Sequence, residues 1–169
     1  MAARLVILDC DLTLWDHHNV SELSLPFVRV DDQTVQDAQG VRVRLRPGAR
    51  ELLEGLRHRG ILASVASWNH PEPVFAIFDL LDLTSFFVRP KVEAHPHKDR
   101  TIGATLQELT RDGVALRPDE VVFVDDKPIH LTQVRQALGP IQTLQVGVDV
   151  TDLRDVLTHI SGSDSPART

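Results

Sequence analysis

The stretch Asp9-Cys10-Asp11-Leu12-Thr13 sets two carboxylates two residues apart, directly after a short apolar run. A second acidic pair, Asp125-Asp126, follows another such run. Brought together, four carboxylates repel and raise one another's pKa values. A divalent cation relieves that repulsion, and oxygen donors with few His or Cys partners favour Mg²⁺, which keeps its waters and takes substrate phosphate. A carboxylate can also attack phosphorus and form an aspartyl-phosphate, dividing hydrolysis into two steps. A second carboxylate can protonate the leaving group and later activate water. A hydroxyl and a lysine then hold the phosphoryl oxygens, whose charge needs stabilising during transfer. Asp9, Asp11, Ser67 and Lys98 supply those groups, so Mg²⁺ is the expected cofactor and phosphoryl transfer the expected chemistry.

These residues need elements to carry them. Four continuous runs rich in Val, Ile and Leu stand at Leu5–Leu8, Ile61–Ala66, Val121–Val124 and Thr143–Val146, with Phe86–Val88 a weaker fifth. Continuous rather than alternating apolar character is expected of strands buried on both faces. Helical patterns lie between them, at Pro47–Arg59, Pro73–Leu81, Lys98–Arg111, Pro128–Leu138 and Asp152–Ile160. Pro in the first turn and Gly60 just past the end mark the first of these as a helix. The alternation predicts an α/β fold, a Rossmann-like parallel sheet sandwiched by helices, with right-handed crossovers. Ligand sites in such sheets form at the carboxyl ends of the strands, where Asp9, Ser67 and Asp125-Asp126 fall. One stretch breaks the rhythm. Val41, Val43 and Leu45 alternate with Arg42, Arg44 and Arg46, a period of two that predicts a small antiparallel hairpin outside the main sheet.

With these positions in view, the chain resembles the phosphatases of the haloacid dehalogenase (HAD) superfamily. Asp9-Cys10-Asp11-Leu12-Thr13 matches the first motif, DxDxT, and Ser67, Lys98 and Asp125-Asp126 match the second, third and fourth in order. LVILDCDLTLWD with the later FVDDK looks most like the magnesium-dependent phosphatase one family, over roughly residues 4 to 160. The resemblance implies Asp9 as nucleophile and metal ligand, and Asp11 as general acid/base with its backbone carbonyl on the metal. Asp126 would be a direct metal ligand, with Asp125 beside it or acting through water. Ser67 and Lys98 would bind phosphate, Lys98 also neutralising Asp9, and Thr13 would support the loop. Lys91 competes for the lysine role, but Lys98 stands at a helix start, where backbone N–H groups add positive potential.

The expected organisation is one phosphatase domain over residues 1–160, with a flap insertion at about 14–46, no large cap domain, and a flexible tail at 161–169. The stretch from Ser67 to Lys98 has room only for a helix, a strand and loops. An open site follows, suited to a phosphoprotein side chain such as phosphotyrosine, a sugar phosphate or another bulky phosphomonoester. A receiver-like signalling domain that accepts a phosphoryl group is a competing reading, as is a non-hydrolytic HAD-like module of an acyl-carrier pathway. Against the receiver, the DxD pair lies first in the chain and the DD pair late. Net charge of −6 and a sequence pI near 5.7 argue against broad nucleic-acid or membrane-surface binding. The single cysteine, Cys10, permits no intrachain disulfide, and with no apolar run long enough for a signal or a span, a cytoplasmic location is the expectation.

Bland readings compete with the sharp ones. Cys10 reads as a small core residue. The clusters His17-His18 and His95-Pro96-His97 read as solvated loops rather than zinc ligands. Trp15 and Trp68 could pack at the rim or stack on substrate, Thr13 could bridge a turn or stand near substrate, and the three arginines from 42 to 46 read as a solvated hairpin face.

Overall fold

In a computed structural model, which describes residues 2–160, five parallel strands form the central sheet. The expected tail at 161–169 lies outside the described residues. In chain order the elements are β1 (Leu5–Leu8), β2 (Val28–Arg29), β3 (Thr34–Gln36), β4 (Arg42–Arg44), α1 (Ala49–His58), β5 (Leu62–Trp68), α2 (Pro71–Leu80), β6 (Lys91–Glu93), α3 (Lys98–Arg111), β7 (Val121–Asp125), α4 (Pro128–Leu138), β8 (Gln142–Gln145) and α5 (Val156–Ile160). The sheet order is β6-β5-β1-β7-β8, so β1 lies at the centre, in register with Leu62–Val65 on one side and Val121–Val124 on the other.

The continuous apolar runs are explained by what each sheet face meets. Successive strand side chains point to opposite faces. Val6 and Leu8 join the cluster built with α1 (Leu52, Leu53, Leu56) and α2 (Val74, Ile77, Phe78). Leu5 and Ile7 join Ile102 and Leu109 of α3 and Leu131 and Val134 of α4 on the other face. Each fully buried aliphatic side chain contributes roughly 1.5–3 kcal/mol relative to exposure. Truncating Leu52, which is fully buried, would cost about 2–5 kcal/mol.

Two elements differ from the sequence reading. The fifth strand is Lys91–Glu93 rather than Phe86–Val88; Phe87 makes only an isolated bridge to Ala63, and Thr84–Phe86 is a short 3₁₀ turn. An edge strand needs one buried side chain, here Val92, and tolerates charge on either side of it. The flap also gains a strand. Val28–Arg29 pairs with β3, making a three-stranded antiparallel sheet in the order β2-β3-β4. Val35 and Val43, cross-strand partners, are buried against the main core, while Arg42 and Arg44 face outward. Among the described residues there is no large cap domain, and no helix is long and apolar enough to cross a membrane.

Candidate active site

The carboxyl ends of β1, β5 and β7 converge, and each delivers one of the singled-out groups. After β1 the chain turns sharply. The backbone N–H groups of Thr13, Leu14 and Trp15 all donate to the carbonyl of Cys10, and Leu12 takes a left-handed φ of 55°. A non-glycine residue in that region costs energy that the surrounding bonds must offset. The turn leaves Asp9 and Thr13 pointing into the same place: the Thr13 Oγ1 lies 3.2 Å from Asp9 Oδ2 and 3.5 Å from Asp126 Oδ1. Both Asp9 and Thr13 are buried.

Lys98, the first residue of α3, is 3% exposed and reaches into this acidic group. Its ammonium donates to Asp9 Oδ1 (2.7 Å), to the Ala66 carbonyl (2.8 Å) and to Asp125 Oδ2 (3.2 Å). An ammonium has three protons, and here each has a partner. Burial alone would lower the lysine's pKa, but Asp9 and Asp125 outweigh it and hold the group above its ordinary value, firmly charged. Lys91 goes elsewhere. It pairs with Glu108 at 2.6 Å.

Asp125 is wholly buried at the end of β7, and its Oδ1 accepts the backbone N–H of Lys127 at 2.9 Å. Burial and the neighbouring Asp9 charge push its carboxyl up to about 8, with Lys98 holding it back. Burial, then Asp9, also raises Asp126. Carboxylate oxygens of Asp9, Asp125 and Asp126 lie within 4.8 Å of one another, and among the described residues no other set of His, Cys, Asp and Glu side chains forms such a group. Three convergent carboxylates exceed what the single lysine neutralises. All-oxygen donors around that surplus charge fit a hard divalent cation such as Mg²⁺.

Asp11 is set apart from this cluster. Its Oδ1 accepts from the indole Nε1 of Trp15 (2.9 Å) and from the backbone N–H of Val20 (3.3 Å), and its Oδ2 from the side-chain amide of Asn69 (2.8 Å). Burial pushes its carboxyl upward, opposed by the Trp15 and Asn69 hydrogen bonds. The two tryptophans therefore separate: Trp15 is fully buried against Phe78, whereas Trp68 is 49% exposed at the site's mouth. Ser67, buried at the end of β5, accepts a hydrogen bond from Asn69 at 2.9 Å.

Around these groups lies a cavity of about 560 Å³, bordered by Asp9, Asp11, Lys98, Asp126, Trp68 and His130. Nothing in the sequence pattern singles out Asn69 or His130. His130, on the first turn of α4, is buried, and its Nδ1 has no partner among the described residues. Burial and the nearby Lys98 lower its pKa, keeping the ring neutral. Cys10 is a core residue: burial, with the charges of Asp9 and Asp11, pushes its thiol well above the ordinary value, which makes it inert. Neither histidine cluster joins the three-carboxylate group, although His18 borders the same cavity. His17 stacks on His18, and His95 leans on Glu93.

Comparisons with known proteins bear on the family and the fold. Residues 1–151 match the family model described as Acid Phosphatase. No curated protein matches the chain. Among solved structures, CbbY from Rhodobacter sphaeroides, in complex with phosphate, aligns with a TM-score of 0.66 and 14% identity, covering 95% of this chain and 100% of that one. A HAD-superfamily hydrolase, subfamily IA, variant 1, from Geobacter sulfurreducens aligns at 0.65 and 16%, covering 94% and 100%. The N-terminal part of the protein BF1531 from Bacteroides fragilis, containing a phosphatase domain complexed with Mg, aligns at 0.63 and 20%; it is matched over 94% of this chain, which spans 39% of that one. At these identities the likeness is one of fold.

Proposed function

The chain belongs to the acid phosphatase family, with the fold of the HAD superfamily, and from that premise we propose a Mg²⁺-dependent phosphomonoesterase that works through an aspartyl-phosphate on Asp9. One observation carries the reading: a buried carboxylate held by Lys98, beside two further carboxylates, with a second acid two residues on that is bound by neutral donors instead. Asp9, Asp125 and Asp126 would hold the cation, with the backbone carbonyl of Asp11 as a further ligand by family resemblance. Bound there, it would neutralise the surplus carboxylate charge and favour a phosphoryl oxygen beside Asp9.

The chain's own residues account for the two steps. The Lys98 ammonium lies 2.7 Å from Asp9 Oδ1 and sets a positive charge beside the attacking carboxylate inside a buried site. As the Asp9 oxygen bonds to phosphorus, the bond to the leaving oxygen breaks, and Asp11 in its acid form donates the proton that the leaving oxygen needs. Water then attacks the phosphorus of the aspartyl-phosphate while the Asp11 carboxylate takes its proton. That step releases phosphate, regenerates Asp9 and restores the acid form of Asp11. Burial raises the Asp11 carboxyl, which favours its acid form at the start of each turnover. Ser67 and Thr13 offer hydroxyls to the phosphoryl oxygens, and Trp68 borders the leaving group. Without a large cap the mouth stays accessible, which suits a phosphoprotein side chain, phosphotyrosine among them, or a sugar phosphate. The test is turnover of nitrophenyl phosphate with and without Mg²⁺. Activity that needs the cation and disappears in Asp9→Asn supports the reading, and an Asp9→Asn protein as active as wild type defeats it.

A further inference from the structure

The flap and the acid/base are joined by a chain of directional hydrogen bonds. Asn69 stands immediately after β5, with its backbone N–H on the Glu93 carbonyl at 3.1 Å and its side chain buried. Its amide nitrogen donates to Asp11 Oδ2 (2.8 Å) and to Ser67 Oγ (2.9 Å). Its amide oxygen accepts from the hydroxyl of Ser21 (2.5 Å), which itself accepts the backbone N–H of His70 (2.9 Å). Ser21 lies in the flap, in the 3₁₀ turn Val20–Glu22, capped by Asn19. Each polar group of the Asn69 amide is thus used, and turning the amide over would set its oxygen against the Asp11 carboxylate.

The Asp11 oxygens give this arrangement a consequence. A carboxylate offers about four lone-pair positions, two on each oxygen. Trp15 and Val20 take the two on Oδ1, and Asn69 takes one on Oδ2. One position on Oδ2 is left free of these three bonds, and the three together fix how the carboxyl is turned. We infer that Asn69 is a positioning residue for the acid/base: its hydrogen bond to Oδ2 fixes the orientation of the Asp11 carboxyl towards the leaving oxygen, and the flap's Ser21 holds Asn69 in place. This rests on the phosphatase reading and adds to it, giving the flap a part in placing the acid/base.

The test separates proton delivery from everything else Asn69 touches. A nitrophenolate leaves without a proton, whereas an alkoxide needs one, so the ratio of kcat/KM for an alkyl phosphate to that for nitrophenyl phosphate reports the acid. General acid catalysis contributes roughly 10²–10⁴-fold. Asn69→Ala is expected to lower the alkyl phosphate kcat/KM by about 10²-fold while nitrophenyl phosphate changes by no more than about threefold. Ser21→Ala should move the ratio the same way by about tenfold. Asn69→Asp keeps the side chain's shape and its acceptor for Ser21 but sets an oxygen against Asp11, so it should reproduce the loss even if Asn69→Ala folds poorly. Equal losses on both substrates would place Asn69's effect in Ser67 or in the fold and overturn the inference, as would an unchanged ratio. A wild-type protein that turns over neither ester defeats the phosphatase reading and the inference with it.

Discussion

Asp9 and Asp11 stand two residues apart, yet they are held by opposite means. Asp9 faces charge: a buried lysine from α3 and two carboxylates from the end of β7, all brought from far along the chain. Asp11 faces neutral donors, two of them from the loop that follows it: an indole, a backbone N–H and an amide. For Asp11, burial outweighs those donors and raises the carboxyl. On the proposed mechanism, this difference is what lets one short loop hold both a nucleophile and an acid.

Removing the proposed nucleophile should have the largest effect. Asp9→Asn is expected to lower kcat by at least about 10⁴-fold, by analogy with the cost of deleting a covalent nucleophile, measured on nitrophenyl phosphate at saturating Mg²⁺. Next comes the charge that holds it. Lys98→Met leaves two buried carboxylates without their cation, and should cost about 3–5 kcal/mol of stability in chelator, with Mg²⁺ restoring part of it. The same variant should lose about 10²–10³-fold in kcat. Denaturant unfolding with and without the ion checks the first effect and steady-state kinetics the second.

The pH dependence of stability sharpens the comparison further. The carboxyl of Asp125 is raised from 3.8 to about 8 on folding, so the folded chain holds that proton more tightly than the unfolded one. Its contribution is greatest below roughly pH 4 and is lost as the pH climbs to about 8. In chelator, the melting temperature should therefore fall across that window. The cation binds the ionised form, so stabilisation by Mg²⁺ should be larger at the upper end than at the lower. Asp125→Asn should flatten the slope, and an identical slope in wild type and variant would refute the Asp125 proton as its cause. The smallest effect belongs to the other lysine. Lys91→Ala breaks a partly exposed pair with Glu108, costs no more than about 1 kcal/mol, and should leave kcat unchanged.

What the sequence made visible follows from the same contrast. The apolar runs ending in Asp9, Ser67 and Asp125 were readable because strands covered on both faces keep continuous hydrophobic character. The strand at Lys91–Glu93 was not, because an edge strand with one buried residue leaves little pattern, while Phe86 and Phe87 beside it are apolar for packing. The hairpin was expected from the alternation between Val41 and Arg46, which falls on β4, but Val28–Arg29 is too short to show a period. Among site residues, the acids, Ser67 and Lys98 carry their chemistry in their type and position. Asn69 and the indole of Trp15 act through hydrogen bonds to Asp11. Asn69, 58 positions away, leaves no local signal, and a tryptophan four positions along reads equally well as core.

The most direct test of Asp9 as the nucleophile is covalent. Asp11→Asn retains the nucleophile and impairs the proton transfer that resolves the intermediate, so mixing it with nitrophenyl phosphate and Mg²⁺ and quenching in acid should trap phosphoenzyme. Mass spectrometry of the digested protein should place one phosphoryl group on the peptide containing Asp9. A trapped group on another residue, or rapid steady turnover by Asp11→Asn with no covalent species, would contradict it.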